Sequence, residues 1–141
     1  MSFALYLDTS ALLKLYVEEA GSTQVAAQAR RASLLVTATI TYAEARAALA
    51  ARARRGDLSA DEELAIVDQL DADWPRLALV QVTEALAQLA GELAHLHALR
   101  GYDAIQLAAC MVAKGGLVDL RLAEFDEDLT AAAAAVDIRI A

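Results

Sequence analysis

Several things are scarce in this chain, and each scarcity excludes a class of protein. Among 141 residues there are one cysteine, one proline, six glycines and only 5% aromatic residues. A lone cysteine, Cys110, cannot build a disulfide framework and suits the reducing cytoplasm, the expected location. So few aromatics leave little for stacking bare bases. No apolar run reaches the roughly 18 residues that a membrane span needs, so no membrane role is expected. The first eight residues hold no basic segment and meet an acid, Asp8, too early for a secretory leader. Basic charge is also short: 12 Lys and Arg stand against 20 Asp and Glu, a net charge of −8. Holding nucleic acid by general phosphate neutralisation asks for the opposite balance. Either nucleic acid is not the ligand, or the excess acid is concentrated where cations neutralise it.

What the chain does have is aliphatic side chains and helix formers. Hydrophobic residues make up 58% of it, and 35 residues are Ala. The first figure excludes a disordered polymer; the second favours helices with small contacts. The length fits a single domain, 1–141, able to fold without a disulfide or structural metal. Short apolar runs at 3–7, 34–38, 77–80 and 117–122 predict strands, and an alternating run at 136–140 predicts an edge strand. Between them lie predicted helices over 11–19, capped by Thr9 or Ser10, and over 22–32. A long Ala/Arg helix follows, capped by Thr39 or Thr41 and ended by Gly56. Ser59 and Glu62 form a capping box for the next helix, which ends before Trp74 and Pro75. Further helices are expected over 83–99, 102–113 and 129–135. Strands alternating with helices predict a three-layer α/β/α fold around a mainly parallel sheet of four to five strands. Sites in such sheets form beyond the carboxyl ends of the strands.

Four acids are expected at those ends. Asp8 follows the first strand, Glu44 lies early in the helix after the second, Asp103 opens a helix, and Asp126 follows the fourth strand. Each alone has a plainer role: a cap for Asp8 or Asp126, a dipole partner for Asp103, a surface pair with Arg46 or Arg52 for Glu44. Together they make an oxygen-rich cluster of the kind hard divalent cations occupy, able to support phosphodiester hydrolysis. Arg52 and Arg55 share a helix face with Glu44 and Ala48, with Arg46 on a neighbouring row. They are candidates either for contacting phosphates or for complementing the helix dipole. His95 and His97 point to different faces of a helix, so they read as solvated or half-buried side chains. Gly115 and Gly116 lack the Lys and spacing of a phosphate-binding loop.

The segment Leu7-Asp8-Thr9-Ser10-Ala11-Leu12-Leu13-Lys14-Leu15-Tyr16 resembles the opening motif of PIN-domain ribonucleases, in particular the VapC-type toxins. Thr41-Tyr42-Ala43-Glu44-Ala45-Arg46 is similar to their second motif, Arg100-Gly101-Tyr102-Asp103-Ala104-Ile105 to their third, and Glu124-Phe125-Asp126-Glu127-Asp128 to their fourth. The resemblance covers essentially the whole chain. It implies an endoribonuclease dependent on Mg²⁺ or Mn²⁺, with Asp8, Glu44, Asp103 and Asp126 as catalytic and metal-holding acids. It places Ser10 against a ligand or metal-bound water. Glu124 stands where the family often carries Ser or Thr, and is either an added ligand or a sign of a shifted loop. The resemblance further implies a homodimer and a cognate antitoxin. That partner is expected to set an Arg or Lys among the four acids and to lie along apolar surface at Leu12, Leu15, Tyr16 and Val17. Two other functions compete: a phosphatase-like domain with Asp8 as nucleophile, and a catalytically inactive PIN-like binding module.

Overall fold

The computed structural model describes residues 2–117 and 119–141. The first apolar run becomes β1 (Ala4–Leu7), and all four of its residues are buried. Successive side chains of a strand face opposite ways. Phe3, Leu5 and Leu7 join one hydrophobic cluster, whereas Ala4 and Tyr6 join another. β1 is thus covered on both faces, as the centre of a parallel sheet must be. Beside it run β2 (Leu34–Ala38), β3 (Ala78–Val80), β4 (Leu120–Ala123) and β5 (Arg139–Ile140). Their order is β3-β2-β1-β4-β5, with every neighbouring pair parallel. The expected α/β fold and parallel sheet are therefore present, with β5 at an edge.

Seven α-helices are found among the described residues. Four feed the cluster on the Leu5 and Leu7 face: α1 (Thr9–Leu13), α2 (Ser22–Arg31), α3 (Ile40–Arg54) and α4 (Ala60–Asp73). A 3-10 turn over Trp74–Arg76 follows α4, with Pro75 at a position that needs no amide donor. The other three, α5 (Glu84–His97), α6 (Gly101–Lys114) and α7 (Glu127–Ala135), cover the Tyr6 face. The capping box is formed: Ser59 Oγ accepts the Glu62 N–H, and Glu62 Oε1 accepts the Ser59 N–H, each at 3.0 Å.

Two local expectations are corrected. The N-cap of α1 is Asp8, the plainer role weighed for that acid, and not Thr9 or Ser10. Asp8 has extended backbone angles and its carboxylate accepts the Ala11 N–H, so the helix begins at Thr9 rather than at residue 11. The same helix stops at Leu13 rather than reaching Glu19. Beyond it the Ser22 hydroxyl donates to the Val17 carbonyl and accepts the Glu19 N–H, both at 3.0 Å, which folds the 17–22 segment into a tight loop. Gly21 turns that loop at φ 92°, a left-handed conformation that glycine adopts without strain. The fourth strand starts at Leu120; position 118, inside the run expected there, lies outside the described residues.

Candidate active site

The sheet order reverses direction at β1: the chain builds outward through β2 and β3 on one side, then returns to place β4 on the other. A crevice opens beyond the carboxyl ends at such a switch point. Asp8 sits there because it is the residue after β1. It is 6% exposed. Its Oδ1 accepts the Ala11 N–H at 2.9 Å, and the Ser10 hydroxyl reaches both carboxylate oxygens at 3.1 and 3.3 Å.

Glu44 comes from α3. Its Oε1 accepts from Thr9 Oγ1 and from Gln106 Nε2, each at 2.8 Å. Gln106 is buried, and its own amide is held on every side: Nε2 also donates to Thr41 Oγ1 at 2.9 Å, and Oε1 accepts the Tyr6 hydroxyl at 2.7 Å. The Thr37 and Thr41 hydroxyls are 2.8 Å apart, and Thr37 donates to the Leu7 carbonyl at 2.7 Å. This network runs from the β1 backbone to Glu44 and fixes that carboxylate. Sequence reasoning missed Gln106. The available signal was a polar residue three positions after Asp103, inside the apolar run Ala104-Ile105-Gln106-Leu107-Ala108.

Asp103 lies in the first turn of α6. Burial and the negative charge of Asp126 push its carboxyl up from the ordinary value; Asp8 and Glu44 add to this, and Arg100 opposes it. Asp126 is the N-cap of α7, its Oδ1 accepting the Asp128 N–H at 2.9 Å and the Leu129 N–H at 3.2 Å. Glu124, two residues before that cap, turns Oε1 back onto the Phe125 and Asp126 N–H groups at 2.7 and 2.6 Å. Its Oε2 is buried without a hydrogen-bond donor. Burial, then the facing carboxylate of Asp8, pushes the Glu124 carboxyl up to about 9. Two carboxylates face each other stably only with a proton or a cation between them.

All four expected acids, with Ser10, Glu124 and Arg52, line one cavity of about 560 Å³. Arg46 and Arg55 are not in that lining. Arg46 donates to the Tyr42 hydroxyl at 3.0 Å, and Arg55 pairs with Asp57 at 3.2 Å on the surface. A second cavity, of about 440 Å³, lies beside α1, α2 and α4; Leu12, Leu15 and Tyr16 line it and Val17 does not. His95 is exposed, His97 half-buried and Cys110 buried.

The donor set fits a hard divalent cation in kind: carboxylate oxygens from four parts of the chain, with an orphaned buried oxygen among them. Among the described residues, no three such side chains stand close enough to ligate one ion together. Mg²⁺ keeps several waters when bound, through which further carboxylates can reach it.

A parallel sheet with acids gathered at its switch point defines the class. The chain belongs to the PIN domain family, whose model matches residues 5–135. It is 39% identical over 138 residues to Ribonuclease VapC45 of Mycobacterium tuberculosis (strain CDC 1551 / Oshkosh), covering 96% of this chain and 93% of that protein. Two solved structures share the fold. One is VapC20 of Mycobacterium tuberculosis, a sarcin-ricin loop cleaving toxin: TM-score 0.66, 20% identity, 91% of this chain and 94% of that one. The other belongs to a toxin-antitoxin complex from Klebsiella pneumoniae: TM-score 0.62, 19% identity, 89% of this chain and 88% of that one.

Proposed function

We infer that this chain is a divalent-metal-dependent endoribonuclease, the toxin half of a toxin–antitoxin pair, acting in the cytoplasm as a single PIN-like domain over residues 1–141. The observation that carries the reading is the convergence of Asp8, Glu44, Asp103 and Asp126 on one cavity at the strand ends. The relative named Ribonuclease VapC45, similar over almost its whole length, supports the substrate class. We assign Asp8, Glu44, Asp103 and Asp126 to holding Mg²⁺ or Mn²⁺, which when bound supplies an activated water and neutralises the leaving oxygen of a phosphodiester. The protein's own groups prepare this. Ser10 orients Asp8, and Gln106 with Thr9 orients Glu44. Using Asp8 as a phosphatase-like nucleophile has less support, because one of its oxygens caps α1 and the group is almost wholly buried. An inactive binding module has no need of the complete acid set.

The antitoxin is read as a protein that sets a basic side chain among the acids and lays apolar residues in the cavity beside Leu15 and Tyr16. The homodimer rests on the family resemblance, and light scattering checks it. The deciding experiment incubates the purified protein with mixed structured RNAs in Mg²⁺, Mn²⁺ or EDTA and reads fragments on a gel. Discrete cleavage with either metal and none in EDTA is expected. Cleavage that persists in EDTA sinks the metal-dependent reading.

A further inference from the structure

We propose that Lys14 and Arg52 form a seat for a backbone phosphate of the RNA on one wall of the acidic cavity, with Glu19 as the positioning residue that holds both cations there. The inference rests on the ribonuclease reading. A strand entering a cavity of carboxylates is repelled unless cations meet its phosphates. Among the described residues lining this cavity, the basic ones are Lys14, Arg52 and Arg100. Arg100 is an exposed side chain. The other two are built in: the Lys14 side chain is 13% exposed and that of Arg52 21%. Glu19 receives Lys14 Nζ on Oε1 at 3.2 Å and Arg52 Nη2 on Oε2 at 3.1 Å. Lys14 also lies over the Phe125 ring, 4.9 Å from its centroid. The left-handed Gly21 lets the loop close on this pair, since a Cβ there would come within 2.9 Å of Phe125 and 3.2 Å of the Lys14 stem.

Two cations share one carboxylate, so the triad keeps a net positive charge. Arg52 Nη1 is buried without a partner among the described residues. A guanidinium N–H left so is costly, and its fork matches phosphate oxygens. A clasp serving stability alone has no need of a surplus positive charge on the cavity wall.

The test titrates a fluorescein-labelled short single-stranded RNA with the full chain in EDTA and reads the slope of log Kd against log salt. Each phosphate contact to a single strand adds about 0.7 to that slope. Lys14→Gln and Arg52→Gln should each flatten it by about 0.7, and Arg52→Lys should keep it. With Mg²⁺, both Gln variants should raise KM and leave kcat nearly unchanged. Wild-type slope and wild-type KM in both Gln variants overturn the seat and leave the triad a structural clasp. If Arg52→Gln does not fold by circular dichroism, Lys14→Gln and Arg52→Lys decide. A wild-type protein that neither binds RNA in EDTA nor cleaves it with Mg²⁺ fails the ribonuclease reading itself, and the seat with it.

Discussion

Asp8 and Asp103 illustrate how little a single residue declares about its work. Asp8 is a helix cap in geometry and a member of the acidic cavity in position, and both descriptions hold at once. Asparagine caps helices as well as aspartate does but carries no charge. Asp8→Asn and Asp103→Asn are therefore expected to abolish cleavage while raising the thermal midpoint of the metal-free protein, because mutual repulsion among the acids is relieved. Either variant cleaving RNA at the normal rate would remove that residue from the site. Gln106 makes the complementary case. It touches the reaction only through Glu44, and Gln106→Leu keeps the volume while stripping partners from the Tyr6 and Thr41 hydroxyls and from Glu44. Each buried polar group left unpaired costs about 1–3 kcal/mol. Urea unfolding should show a loss of at least that order, and kcat should fall with it. An unchanged midpoint with unchanged kcat would show that the network does not hold Glu44.

At the level of elements, the strands and most helices were legible because period and composition agree there: 34–38 is strand throughout, and the Ser59 box starts α4 as read. The misreadings fell where a side chain outbids local propensity. Asp8 takes the cap from Thr9 and Ser10 through one bond to the Ala11 N–H, and Ser22 bends the chain that α1 would have continued into. The cation wall was half legible. Arg52 was placed on the right face of α3 by its spacing from Glu44, but Lys14 and Glu19 reach it from a loop that no periodicity describes. The β4–α7 connection calls for care in mutagenesis, because Asp126 caps α7. Asp126→Ala should lose about 1 kcal/mol of stability along with activity, whereas Asp126→Asn should lose activity alone. Glu124→Ala should reduce cleavage less than Asp126→Asn does. The reverse order in a cleavage assay would mean that Glu124, not Asp126, is the fourth working acid.

The molecule as a whole carries a net charge of −8, and part of that charge is gathered at the cavity. Glu124 links this to pH. Its carboxyl ordinarily titrates at 4.5, and in the fold it is pushed up to about 9. Between those values the folded protein holds a proton that the unfolded chain has released. Its contribution to stability is complete below about 4.5 and is lost as pH rises through about 9. In EDTA, the thermal midpoint of wild type relative to Glu124→Gln should therefore fall as pH rises across this window. Parallel profiles for the two proteins would disprove the link. At alkaline pH, Mg²⁺ should restore the wild-type midpoint by binding only the folded state, and should do so less in Asp8→Asn. The position of β1 between β2 and β4 also bears on how the chain is made. The first three strands emerge with their own acids, Asp8 and Glu44, but the partner on β1's other side, and Asp103 and Asp126 with it, come from the last third of the chain. Asp126 follows Asp8 by 118 positions. At about 5–20 residues per second that is on the order of ten seconds of synthesis. Until Asp103 and Asp126 are made, the nascent polypeptide holds half a cavity. A nascent chain that has not reached Asp126 therefore lacks one of the four acids assigned to the metal.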